Sequence, residues 1–214
     1  TGLMQKLLTR GIGHTKFKKV KWYFGKEIEI PEEWNISRLN DVCVKITDGE
    51  HINPTYTQKG IPFLTAKNIQ NNGINFIKIN YISKEDGTKS RKRCNPEHND
   101  VLIVSRGATI GRTCIINFHD EFCLLGSVIL IKSGKNLVSS FLSNLLKSNL
   151  IQKRIIGISN STAQDAIYLK DLQKIRINVP TVEEQQKIAT ILSNIDSKIT
   201  SQEQYKEKLE KLKK

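Results

Sequence analysis

Short apolar runs alternate with turn clusters from about residue 36 to 182, and the pattern changes after Pro180. The segments "IPFLTAKNI" (61–69), "GINFIKINYI" (73–82), "DVLIVSRGATIGRTCIIN" (100–117) and "FCLLGSVILIKS" (122–133) predict strands. In "SSFLSNLLKSNLIQKRI" (139–155) the apolar residues at 141, 142, 145, 146, 150 and 151 share one face and predict an amphipathic helix. "AIYLKDLQKIRINVP" (166–180) predicts a short helix or turn and then a strand. "IEIPEEWNISRLNDVC" (28–43) predicts a turn into a strand or short helix, with Trp34 and Leu39 packed inward. Short strands and helices in irregular order predict a mixed α+β domain over residues 26–180 rather than a regular parallel wind.

Residues 181–214 form a different region. Thr181 is a candidate N-cap, Glu183 and Glu184 occupy the first turn, and no Gly or Pro follows. Alternating steps of three and four visit Ile188, Ile191, Ile195, Lys198, Gln202, Tyr205, Leu209 and Leu212, six of the eight apolar or aromatic, and Leu192 and Ile199 widen the stripe near the domain. This pattern predicts a long helix with a coiled-coil seam, most simply an exposed arm that needs a partner, although a helix folded back on its own domain fits the same stripe. At the other end, residues 1–25 read as the last turns of a helix, stopped by "RGIG", and a basic linker. Joined head to tail, "EKLEKLKK" and "TGLMQKLLTRG" keep a helical pattern, as one unit of a tandem arrangement cut within its connecting helix would.

The net charge of +13 sharpens this picture because of where it lies. The final helix is nearly balanced, so the excess sits on the globular part and the amino-terminal arm. A basic surface of this kind favours polyanions, nucleic acid above all. No apolar run is long enough to span a bilayer, and no apolar secretory leader is visible. Cys43, Cys94, Cys114 and Cys123 form no CxxC pair and sit mostly in apolar runs, which predicts buried free thiols in a reducing cytoplasm.

Three catalytic readings lack parts. "NPTY" (53–56) is similar to the Asn-Pro-x-aromatic turn of amino-methyltransferases, but the glycine-rich strand-to-helix turn that would hold S-adenosylmethionine is absent. A magnesium-dependent nuclease needs clustered carboxylates and a lysine on adjacent strands, and the strand after Asp100 offers no such pair. In "DGEH", Asp48, Glu50 and His51 are close in sequence, but the other histidines show no ligand spacing. That loop is better read as held by local hydrogen bonds from Asp48 and Asn53.

Recognition chemistry remains. "SKEDGTKSRKRCNPEH" (83–98) reads as a polar loop with Lys89, Arg91, Lys92 and Arg93 within five residues. "AKNIQNNG" (66–73), "RGATIGR" (106–112) and "GISNSTAQ" (157–164) add Lys67, Asn68, Arg106 and Asn160. Arginine suits guanine edges, Asn and Gln suit adenine, and lysine suits phosphate. Ordinary solvated loops are the plain alternative at each site.

Several landmarks in order resemble the specificity (S) subunit of type I restriction–modification systems. "TDGEHINPTYTQKGIPFLTAKNI" resembles that family's Asp-Gly-x-His to Asn-Ile signature. "INVPTVEEQQKIATILSNIDSKI" resembles the start of its helical spacer, and "GLMQKLLTRGIGHTKFK" the spacer's far end. The resemblance implies a non-catalytic, cytoplasmic subunit that reads one half of a bipartite double-stranded DNA target. It implies a target recognition domain followed by a coiled-coil-forming helix that docks methyltransferase subunits, with the restriction subunit joining indirectly. S-adenosylmethionine, ATP and Mg would then belong to partner subunits, and this chain would bind no cofactor. With one recognition domain and a split spacer, the chain is expected to be half of a full subunit or a half-subunit that forms a homodimer. A methyltransferase or nuclease acting alone, and a coiled-coil adaptor, stand as alternatives.

Overall fold

The structure, a computed structural model, describes residues 2–161 and 165–212, without the side chains of 207 and 212. It is a mixed α and β domain with a long terminal helix. The chain opens with α1 (Gly2–Arg10), stopped at Gly11, whose φ of +63° and N–H bond to the Leu7 carbonyl form a left-handed cap. Then come β1 (Phe17–Lys21), β2 (Glu27–Pro31), β3 (Asn35–Arg38), α2 (Leu39–Val42), β4 (Cys43–Asp48), β5 (Tyr56–Thr57), β6 (Ile61–Leu64), β7 (Ile69–Gln70), β8 (Gly73–Ile74) and β9 (Asn80–Ile82). The second half holds α3 (Lys84–Arg93), β10 (Val101–Val104), β11 (Thr113–Ile115), β12 (Cys123–Leu124), β13 (Val128–Ser133), α4 (Ser139–Lys147), α5 (Asn149–Ser159), α6 (Leu169–Gln173), β14 (Arg176–Val179) and α7 (Val182–Leu212).

Two four-stranded sheets carry the domain. One is antiparallel, in the order β11-β10-β13-β4; the other runs β12-β6-β9-β5, with β12 and β6 parallel. β10 and β13 are buried on both faces, so they read as unbroken apolar runs instead of alternating ones. Val101, Ile103, Ile129 and Ile131 join the larger core with α1, α4, α5 and the root of α7. Leu102, Val104, Val128 and Leu130 face the second core with Leu64, Phe122 and Leu124. Trp34 and Leu39 lie in the larger core, as the sequence predicts.

Three expectations need correction. The basic segment 17–21 is a strand of a hairpin, with Phe17 opposite Pro31 and Lys21 opposite Glu27, not a linker. The helix expected over 139–155 is two helices, because Ser148 adopts ψ 147° and breaks the ladder. The basic loop expected over 83–98 holds the helix α3. Ser83 caps it by accepting the Asp86 N–H, acids fill its first turn and Arg91, Lys92 and Arg93 its last. Gly87 lets α3 lie flat on β6, where an added Cβ would stand 2.7 Å from Ile61.

The stripe on α7 divides. Ile188 and Leu192 are buried in the domain core and Ile195 is half-buried, while Ile191, Ile199, Tyr205 and Leu209 are exposed; the Leu212 side chain lies outside the described residues. The root of the helix packs on the domain, and its outer part carries an open apolar seam.

Candidate nucleic-acid interface

Five loops meet at one end of the two sheets. β4, β6, β10 and β12 all run toward that end, and β13 starts from it. Main-chain hydrogen bonds tie the loops together: Glu50 N–H to Leu124 O, Gly126 N–H to Glu50 O, Leu125 N–H to Leu64 O and Ser105 N–H to Ser127 O. The Ala66 N–H donates to the Ser127 hydroxyl, and Ile167 N–H reaches Ser105 O. Gly49 is required here, since a Cβ would fall 2.0 Å from the Leu124 carbonyl oxygen. The resulting rim carries Asp48–His51, Thr65–Lys67, Ser105–Gly107, Leu125–Ser127 and Ala166–Ile167.

The "DGEH" loop is fastened to α3. Asp48 is nearly buried, and its Oδ1 lies 2.5 Å from Arg93 Nη2 while its Oδ2 lies 3.2 Å from His51 Nε2. Arg93 also contacts His51 Nε2 at 2.9 Å. Asp48 thus takes its partners from α3 and His51, where the sequence suggests a local turn bond. Lys45 Nζ donates to the Arg93 carbonyl at 2.6 Å and closes the helix end. Among the described residues, no group of three or more His, Cys, Asp or Glu is arranged to hold a metal ion. Burial pushes the Cys43, Cys94 and Cys114 thiols up to about 12, so all three stay protonated at neutral pH. All four cysteines are free.

The expected contact residues fall into two groups. Lys67, Lys92 and Arg106 are exposed and make no ion pair among the described residues; Lys67 and Arg106 stand on the rim itself. Lys89 is exposed and paired with Glu85 at 2.7 Å, and Asn160 is exposed at the end of α5. Arg91 turns toward Glu121 at 3.4 Å and is largely covered. Arg93 is engaged with Asp48. Asn68 is buried: its Oδ1 accepts the Thr65 N–H at 2.9 Å, and its Nδ2 donates to the Asn75 carbonyl at 3.1 Å. Asn68 is therefore a capping residue of its own turn and not a free base reader. The neighbouring polar residues are also committed, Gln70 to Arg112 and Asn71 to the Thr113 N–H. Sequence reasoning did not foresee that Asp48 and His51 pair with Arg93, because no local pattern announces a contact across 45 residues.

A groove of about 820 Å³ separates the domain from α7, lined among others by Met4, Asn71, Asn144, Lys147, Asp196 and Ile199. Burial lowers Lys147 below the usual lysine value, opposed by the charge of Asp196. No described helix is long and apolar enough to cross a membrane.

Known proteins of one kind share this sequence and fold. A profile of the type I restriction modification DNA specificity domain matches residues 31–211. The putative type I restriction enzyme MjaX specificity subunit of Methanocaldococcus jannaschii is 32% identical over 219 residues, covering 100% of this chain and 47% of the relative. The MjaVIII specificity subunit of the same organism is 28% identical over 221 residues, covering 100% and 50%. The chain thus spans about half the length of these relatives. The crystal structure of the HsdS subunit from Thermoanaerobacter tengcongensis superposes with a TM-score of 0.61 at 23% identity, covering 80% of this chain and 39% of that one.

Proposed function

The chain belongs to the type I restriction modification DNA specificity domain family, and from that membership we propose that it reads double-stranded DNA by sequence as a non-catalytic specificity unit. The observation that carries this is the rim of five loops, which gathers Lys67 and Arg106 on a main-chain framework at one end of the domain. Phosphate contacts from Lys67, Lys89, Lys92 and Arg106 would set position, and side chains on the rim, with Asn160 at the end of α5, would read base edges. One such domain covers one half of a bipartite target. The second half comes from a second domain of the same kind, either in a longer chain or in a homodimer.

The open seam of Ile191, Ile199, Tyr205 and Leu209 supports a helical partner, and the groove beside it suits docking of methyltransferase subunits. On this reading those subunits bring S-adenosylmethionine, and a restriction subunit with ATP and Mg joins them in the cytoplasm.

Selection of random duplexes by the purified chain tests the proposal. Enrichment of one short sequence, with affinity falling steeply as salt rises, is the expected result. Absence of any enrichment, or binding of S-adenosylmethionine by the isolated chain in calorimetry, would overturn it.

A further inference from the structure

Two adjacent side chains grip the root of α7 from different sides. Glu184 is nearly buried: its Oε1 accepts the Ile12 N–H at 3.0 Å and sits 2.8 Å from His14 Nε2, and its Oε2 accepts the Trp34 indole N–H at 2.9 Å. Gln185 is fully buried, its Oε1 accepting the Val138 N–H at 2.8 Å and its Nε2 donating to the Asn136 and Pro180 carbonyls at 3.0 and 2.9 Å. Consecutive helical residues point about 100° apart, so one holds the amino-terminal segment and Trp34 while the other holds the loop before α4. The incoming helix meets the same node. α1 buries Leu7 and Leu8, Asn178 donates to the Leu8 carbonyl, and a Cβ on Gly11 would stand 2.3 Å from Glu184 Oε1.

We infer that Glu184 and Gln185 are positioning residues that fix the direction in which α7 leaves the domain, and thereby the separation and rotation between the two half-sites. The second half of this inference rests on the DNA-reading role proposed above. Its physical basis is leverage. A helix of 31 residues is about 46 Å long, so a tilt of ~10° at its root moves its far end by ~8 Å. One base-pair step advances ~3.4 Å and turns the duplex by ~35°. An arm loose by ~10° would blur target spacing by more than two base pairs, whereas one clamped by six polar contacts on two sides would not. A buried carboxylate with three partners is also a costly way to start a helix when an exposed cap residue would serve.

The test has two parts. Bioorthogonal spin labels at Lys170 and Lys198, chosen to leave the native thiols alone, report arm direction in the full chain by double electron–electron resonance. Glu184→Ala and Gln185→Ala are expected to broaden the distance distribution, and Glu184→Gln, which keeps a carbonyl acceptor for Ile12 and His14, to stay closer to wild type. A distribution as narrow and as centred in both alanine variants as in wild type overturns the inference, whatever the DNA result. Should an alanine variant fail to fold, Trp34→Phe, which takes the indole donor from Glu184 and is likewise expected to broaden the distribution, carries the same comparison. The second part uses the chain assembled with its methyltransferase subunits and duplexes whose half-sites are moved apart in single base-pair steps. The wild type is expected to accept one spacing and the alanine variants its neighbours too, with single half-site affinity unchanged. An equally sharp optimum in the variants contradicts the link to spacing. If the wild type itself selects no half-site, the DNA-reading role fails and the resonance measurement still decides the clamp.

Discussion

Arg93 Nη2 stands 2.5 Å from Asp48 Oδ1 and joins the last turn of α3 to the end of β4. The carboxylate is nearly buried and the guanidinium half-exposed, so the pair fastens a helix to the rim.

Removing that fastener leaves Asp48 with only His51 beside it. Arg93→Ala is expected to cost about 1–3 kcal/mol in urea unfolding, because a covered charged acceptor loses its strongest donor. Arg93→Lys recovers part of the loss, since one ammonium cannot serve Asp48 and His51 with the same planar geometry. An unfolding midpoint for Arg93→Ala equal to wild type would contradict this account.

Lys67 and Asn68 are neighbours with opposite expected phenotypes. Asn68→Ala removes the Asn68 half of the turn's capping box together with the bond to the Asn75 carbonyl, and is expected to cost about 0.5–2 kcal/mol of stability. Lys67→Ala is expected to leave stability within ~0.5 kcal/mol of wild type. It should weaken binding to all duplexes alike and lower the slope of log affinity against log salt by about 1. Arg106→Ala is expected to lower it likewise if it meets a phosphate, and to relax one position of the target if it meets a base. Filter binding across a salt series separates the cases.

The α7 stripe predicts a split between folding and association. Leu192→Ala, in the buried half, is expected to cost about 2–5 kcal/mol in thermal or urea unfolding. Ile199→Ser, in the open half, is expected to leave the melting temperature of the monomer unchanged and to weaken helix-mediated assembly, read by light scattering. Equal effects of the two on unfolding would mean that the outer helix packs on its own domain.

Lys147 gives a pH signature. Its value in the fold is lowered, chiefly by burial, so its charged form carries a penalty near neutral pH. The stability linked to it is complete above the usual lysine value near 10.5 and is lost as pH falls through the lowered one. Lys147→Met is therefore expected to be more stable than wild type at neutral pH, with the gap closing as the solution is made alkaline. Parallel urea midpoints of both proteins at several pH values measure this; a constant gap would contradict it.

Much of the architecture was legible because local and tertiary preferences agree. The runs at 101–104 and 128–133 are strands, as their β-branched residues require, and the capped segment after Pro180 is one long helix. α3 stands where the pattern suggests a loop, although its signals are present: Ser83 as cap, acids first, cations last. Gly87 is a helix breaker on propensity, and its close packing on Ile61 is what lets the helix use it. The break at Ser148 carries no Gly or Pro; its extended ψ of 147° ends α4 and starts α5, which no periodicity reports. For the candidate interface, the sequence located Lys67 and Arg106 on exposed turns. It could not tell a spent polar side chain such as Asn68 from a free one, because that depends on a carbonyl seven residues away.

The rim is stitched by peptide groups, from Glu50 through Gly126 to Ser105, and main-chain bonds do not depend on which side chains stand above them. On the DNA-reading role proposed above, exchanging the outward side chains would change what is read while the peptide framework beneath them keeps its bonds.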